Sequence, residues 1–102
     1  MTVEENFVFA PDHPALAGHF PGDPIVPGSV LLDRAAAIAR ERGGWLVTGV
    51  RRARFKAPLR PGIDCVMRLS PRDDEALDLT CRVGQKIVLV AILDCTADDE
   101  KA

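Results

Sequence analysis

The sequence is short of three things, and each shortage removes a class of function. It has no excess of positive charge: 13 Lys and Arg stand against 15 Asp and Glu, for a net charge of −2. A general nucleic-acid binder needs a strongly basic surface, so that class is set aside. It has no apolar run near the ~18 residues of a membrane span. Its opening, "MTVEENFVFAPDHPALAGHF", lacks the basic start and apolar centre of a secretion signal. A cytoplasmic location with no membrane partner is the resulting expectation. It also has no C-x-x-C. Cys65, Cys81 and Cys95 are odd in number and far apart, which suggests neither a zinc site nor a dithiol centre. Cys65 and Cys81 fall on the apolar side of alternating patterns, and all three read as buried, reduced core residues.

What is present is the make-up of one ordinary globular domain, 102 residues with 47% apolar and 27% charged side chains. No repeat or linker divides it. Residues 6–10, "NFVFA", predict a first strand that ends at Pro11. Residues 11–27 form a loop with five prolines, and a loop this long in a small domain points to function. A helix is expected over 29–42, "SVLLDRAAAIARER", stopped by Gly43 and Gly44. It is apolar almost all round, so a sheet should enclose it. Strands are expected over 45–57, 63–69, 77–83 and 87–93. The last, "IVLVAIL", reads as a central strand buried on both faces. Residues 97–102 read as a disordered tail. The fold class is α+β, with one long central helix wrapped by a curved, mainly antiparallel sheet.

The segment "GHFPGDPIVPGSVLLD", residues 18–33, carries the chemistry. Asp33 sits among Leu31, Leu32, Ala36 and Ala37, and an acid enclosed by such neighbours holds its proton toward neutral pH and can donate it. A partly solvated carboxylate favoured by the helix dipole is the other reading of its position. His19 is the natural base, since imidazole titrates near neutrality, and Pro21, Pro24 and Pro27 restrict the backbone around it. A surface loop histidine would look the same. His13, in "DHP", reads as a turn residue. The amides of Gly28 and Ser29 begin the helix, lack intrahelical acceptors and face the dipole's positive end, a place to stabilise an oxyanion.

These residues resemble the active-site segment of the hotdog-fold 3-hydroxyacyl-[acyl-carrier-protein] dehydratases. "ARFKAPLRPG", residues 53–62, resembles the second recurrent segment of that family. The short chain and its "DHPALAGHFPG" look most like the small dehydratases of aryl polyene lipid clusters. The resemblance implies elimination of water from a 3-hydroxyacyl thioester to give a trans-2-enoyl thioester, in fatty acid or aryl-polyene-type lipid synthesis. By position, His19 would take the C2 proton, Asp33 would protonate the departing hydroxyl, and the Gly28 amide, with Ser29 beside it, would bind the thioester carbonyl. It further implies a homodimer whose shared sites take His19 from one subunit and Asp33 from the other, and no metal or organic cofactor. A tunnel lined by Phe20, Ile25, Val26 and Val30 would hold the acyl chain. The partner that brings it is an acyl carrier protein bearing a phosphopantetheine-linked 3-hydroxyacyl group. Arg52, Arg54 and Lys56, on one side of a strand, form either a solvated face or the patch where that acidic carrier docks.

Two positions depart from the pattern. Ala37 stands where many of these dehydratases have a glutamine that positions the acid. Arg34 follows Asp33 where a small residue is common, and it is expected to point away, because successive helical residues lie about 100° apart. Two other functions share the expected fold. A hotdog thioesterase would hydrolyse the acyl thioester, but that family lacks the HFPG…PG loop. A non-catalytic, acyl-carrier-binding partner subunit is favoured by Ala37 and disfavoured by the retention of both His19 and Asp33.

Overall fold

The computed structural model describes residues 1–10 and 25–98. Five strands, β1 (Val3–Phe7), β2 (Trp45–Phe55), β3 (Cys65–Pro71), β4 (Ala76–Val83) and β5 (Lys86–Ala97), make one sheet in the order β1-β3-β4-β5-β2. Each described pairing is antiparallel. One helix, α1 (Gly28–Ile38), packs on one face of that sheet. This is the α+β architecture read from the pattern.

Alternation builds the inner face. Val3 of β1, Cys65, Met67 and Leu69 of β3, Leu77, Leu79 and Cys81 of β4, and Leu89, Ala91, Leu93 and Cys95 of β5 are all buried. They meet Leu31, Ala35 and Ile38, the face of α1 that turns inward. Burying a side chain of this size is worth about 1.5–3 kcal/mol, so these rows dominate the stability. All three cysteines are free and buried, as expected.

Several boundaries and exposures differ from the sequence reading. The first strand is Val3–Phe7 rather than 6–10, because its partners on β3 run only from Leu69 to Cys65. The helix ends earlier, and residues 39–43 continue as a π-helical turn closed by Gly44 in the left-handed region, φ 69°. β5 is not buried on both faces. Val90 is exposed and Ile92 half-buried, because α1 covers only the inner side. The helix is likewise covered on one side only: Asp33 is exposed in the single chain, and Leu32, Ala36 and Ala37 are half-buried. Of the tail expected over 97–102, residues 97 and 98 are ordered and the rest lie outside the described residues. Ala97 closes β5, and Asp98 is buried by an ion pair from Arg40 Nε at 2.8 Å and by its own amide's bond to the Gly44 carbonyl.

Candidate active site

The two segments singled out in the sequence meet in space. Residues 25–28 lead into α1, and residues 55–59 leave β2. The Val26 amide donates to the Leu59 carbonyl at 2.8 Å, which ties one to the other. A second tie, from the Gly62 amide to the Phe9 carbonyl at 2.8 Å, anchors the far end of the same loop. Pro27, Pro58 and Pro61 stiffen both segments, so the junction is held with little chain entropy left to lose.

Between them lies an open apolar pocket of about 390 Å³. Ile25, Val26, Gly28, Leu31, Phe55 and Leu59 supply most of its lining, and Lys56 is its one ionised side chain. Of the expected tunnel residues it includes Ile25 and Val26, but Val30 does not reach it. His19 and Phe20 lie outside the described residues. Phe55 and Leu59 were not foreseen as site residues. The signal was available, since Phe55 must face away from Arg54 and Lys56 on an alternating strand.

The pocket opens on an uncapped helix end. Pro27 precedes α1, and no side chain caps it. The Pro27 carbonyl accepts from the Val30 and Leu31 amides at 3.0 and 3.3 Å. The amides of Gly28 and Ser29 have no such partner among the described residues, so two donors are open at the positive end of the helix dipole.

Asp33 stands apart from this pocket. No acid occupies the first turn of α1, so Asp33 is not the dipole-favoured carboxylate of the alternative reading. Nor is it buried, because it projects from the side of α1 that the sheet leaves open. The chain's own fold therefore does not bring Asp33 to this apolar pocket. Arg34 points away, as expected: its Nη2 donates to Glu5 at 2.9 Å, and its guanidinium lies 5.7 Å from the Phe7 ring centre. Ala37 lines a shallow groove with Ala36, Arg40, Glu41, Leu46 and Val47.

Arg52 and Arg54 of β2 and Lys56, just beyond its end, do border one groove. It has a volume of about 210 Å³ and lies on the outer face, floored by Val90 and Ile92 and closed by Asp78. None of the three makes a side-chain ion pair among the described residues. Lys56 borders this groove and the apolar pocket alike. The three thiols are buried and none lines the pocket. The hydrogen bond between Cys65 and Cys81 pushes Cys65 well up and Cys81 down, and burial pushes Cys95 up. Among the described residues, no cluster of His, Cys, Asp and Glu could hold a metal ion, and no helix is long and apolar enough to cross a membrane.

Comparison with known proteins bears on the family and the fold. The model of the ApeI-like family, described as ApeI dehydratase, matches residues 1–91. The chain belongs to the ApeI-like dehydratase family. A 3-hydroxyacyl-[acyl-carrier-protein] dehydratase FabZ from a Hydrogenobaculum species is 31% identical over 101 residues, covering 84% of this chain and 68% of that protein. FabZ of Chlamydia trachomatis is 36% identical over 62 residues, and the match takes in 50% of this chain but 40% of the relative. Among solved structures, the dehydratase heterocomplex ApeI:P from Xenorhabdus doucetiae superposes with a TM-score of 0.82 at 20% identity, covering 92% of this chain and 86% of that one. That likeness fixes the fold as the hotdog fold.

Proposed function

We propose that this member of the ApeI-like family is a hydro-lyase acting on a 3-hydroxyacyl thioester on acyl carrier protein, releasing the trans-2-enoyl thioester. The observation that carries the reading is the apolar pocket at the open amides of Gly28 and Ser29, built from the two segments the family resemblance singles out. The thioester carbonyl takes the Gly28 amide, which favours the enolate-like charge that develops as C2 loses its proton. His19 removes that proton. Asp33 gives its own to the C3 hydroxyl, the C3–O bond breaks, and water leaves. The proton on His19 then returns to Asp33 through solvent, restoring both groups. The oxygen leaves as water, so no oxidant or metal is needed.

The exposure of Asp33, away from its own chain's pocket, supports a site shared between two subunits. So does β2, an eleven-residue edge strand with Leu46 and Val50 exposed on it. We read the second subunit as another copy of this chain. The heterocomplex of the Xenorhabdus relative favours one other reading, in which a related but different chain supplies the second half. The outer groove of Arg52, Arg54 and Lys56 suits the acidic carrier, and Lys56 leads from it to the pocket mouth. The pathway we assign is fatty acid or aryl-polyene-type lipid synthesis, in the cytoplasm.

The test is to offer the purified protein a 3-hydroxyacyl carrier protein and follow enoyl product and free thiol separately. Enoyl formation is expected, and His19→Ala or Asp33→Ala should each lose at least about a hundredfold in kcat, the usual weight of a general acid or base. Mixing the two inactive chains should restore activity. Thiol release without enoyl product would establish a thioesterase instead, and binding without turnover a carrier-binding subunit. Activity that appears only with a second, different chain would favour the heterocomplex.

A further inference from the structure

One side chain bounds the pocket at the helix end, and no role has been assigned to it. Phe55 is the last residue of β2 and sits opposite Leu89 on the inner side of the sheet. Its ring points at the first residue of α1. A Cβ built on Gly28 would stand 2.5 Å from Phe55 Cζ and 2.8 Å from Cε1. Gly28 needs no backbone freedom, because the glycines with positive φ are Gly44, Gly62 and Gly84. Position 28 therefore lacks a side chain for want of space, and Phe55 fills that space. The ring is nevertheless 49% exposed, an aromatic left at the mouth of the pocket rather than sealed in the core. Arg54 borders the groove on the opposite face, so within β2 Phe55 is the residue that lines the pocket beside Gly28.

We propose that Phe55 is a positioning and specificity residue of the pocket: its ring is the wall that keeps water from the Gly28 and Ser29 amides and limits the acyl thioester admitted beside them. This rests on the thioester reading above. A dry wall matters because a hydrogen bond to developing charge is stronger where water is excluded. Removing the ring leaves both amides in place but hydrates them. The cost then falls on kcat rather than on KM. The room vacated by the ring admits larger acyl groups near the thioester.

The experiment compares Phe55→Ala, Phe55→Leu, Gly28→Ala and the double variant Gly28→Ala/Phe55→Leu. Kinetics use short and long 3-hydroxyacyl thioesters. Binding is followed separately through amide NMR shifts of Gly28 and Ser29 on adding the matching 2-enoyl pantetheine thioesters. Phe55→Ala should lower kcat about tenfold on the short substrate, less than the 10²–10³ lost with an oxyanion donor itself. KM should stay within about twofold, and preference should move toward longer or branched chains. Gly28→Ala should lose activity and shift the Phe55 ring resonances, and shortening residue 55 in the double variant should recover most of that loss. Equal rates and equal chain preference in Phe55→Ala would overturn the proposal, as would a double variant no better than Gly28→Ala. If the parent binds enoyl thioesters at Gly28 without forming product, the dehydratase reading falls and the binding arm still decides the role of Phe55. Thioester binding that leaves the Gly28 amide unmoved would overturn it outright.

Discussion

At the scale of single residues, the clearest electrostatic feature lies far from the pocket. Arg51 donates to Asp94 at 2.6 Å and to Asp74 at 2.6 Å, while Arg72 reaches Asp74 and Asp78 at 3.0 Å each. These five side chains tie β2, β4, β5 and the β3–β4 turn into one chain of alternating charge. The hydrogen bonds from Arg72 and Arg51 hold the Asp74 carboxyl down at about 2. A carboxylate with a lower pKa folded than unfolded stabilises the fold above its unfolded value, and that contribution fades as pH falls through the folded one. Stability should therefore decline between about pH 4 and pH 2, and Asp74→Asn should flatten that decline in pH-dependent thermal melts. High salt should shrink the effect, because the network is exposed and screened. The same scale shows where sequence reasoning reached its limit. Arg34 was placed correctly by helical geometry alone. For Asp33 the apolar neighbours leave both an enclosed and a partly solvated carboxylate open, because burial depends on which side of the helix the sheet covers, and a local run cannot tell that.

At the scale of elements, periodicity carried most of the assignment. The strands of the second half appear close to where alternation predicted them; β3 and β4 bury Cys65, Met67, Leu69, Leu77, Leu79 and Cys81, whereas Ile63, expected in the same row, precedes β3 and is exposed, and Val83 is half-buried. Ends were less legible, because pairing partners set them rather than local composition. β1 begins at Val3 because β3 offers partners up to Leu69, and β5 extends to Ala97 because Trp45 pairs with it. The two glycines after the helix do different work. Gly43 lies against the Trp45 ring, where a Cβ would collide, and Gly44 takes φ 69° and turns the chain into β2. A non-glycine residue in that left-handed conformation costs about 1 kcal/mol or more. Gly44→Ala should therefore lower the melting temperature by about 5 °C in a domain of this size, without changing kinetics at the pocket. An unchanged melt would mean that the turn relaxes. The apolar run of β5 misled the reading because a strand apolar on both faces needs a cover on each, and the chain supplies only one.

At the scale of the whole molecule, the sheet ends in a long β2 whose outer edge has no strand partner among the described residues, and α1 keeps one side open beside it. Edge strands of this length are normally covered or charged, and Leu46 and Val50 are neither. Val50→Lys should weaken pairing between subunits, seen by light scattering as loss of the dimer at concentrations where the parent is dimeric. Activity should fall in step with it if the site is shared, and a dimeric, active variant would move the interface elsewhere. The proposed second subunit is suggested in the sequence only through the family resemblance, since no pattern within one chain encodes its partner. β2 holds one further consequence. It runs eleven residues against nine of β5, with irregularities between Val47 and Gly49 and between Val50 and Arg52. Against strict alternation, each extra residue reverses which side of the sheet the following side chains face. The two together cancel, leaving Phe55 inward over Gly28 and Arg54 outward. The molecule thus keeps an even parity along this strand. Deleting the extra residue at either irregularity would straighten the strand there and leave each later side chain opposite the same β5 partner, so Phe55 should keep its place over Gly28 while the local twist of the edge is lost.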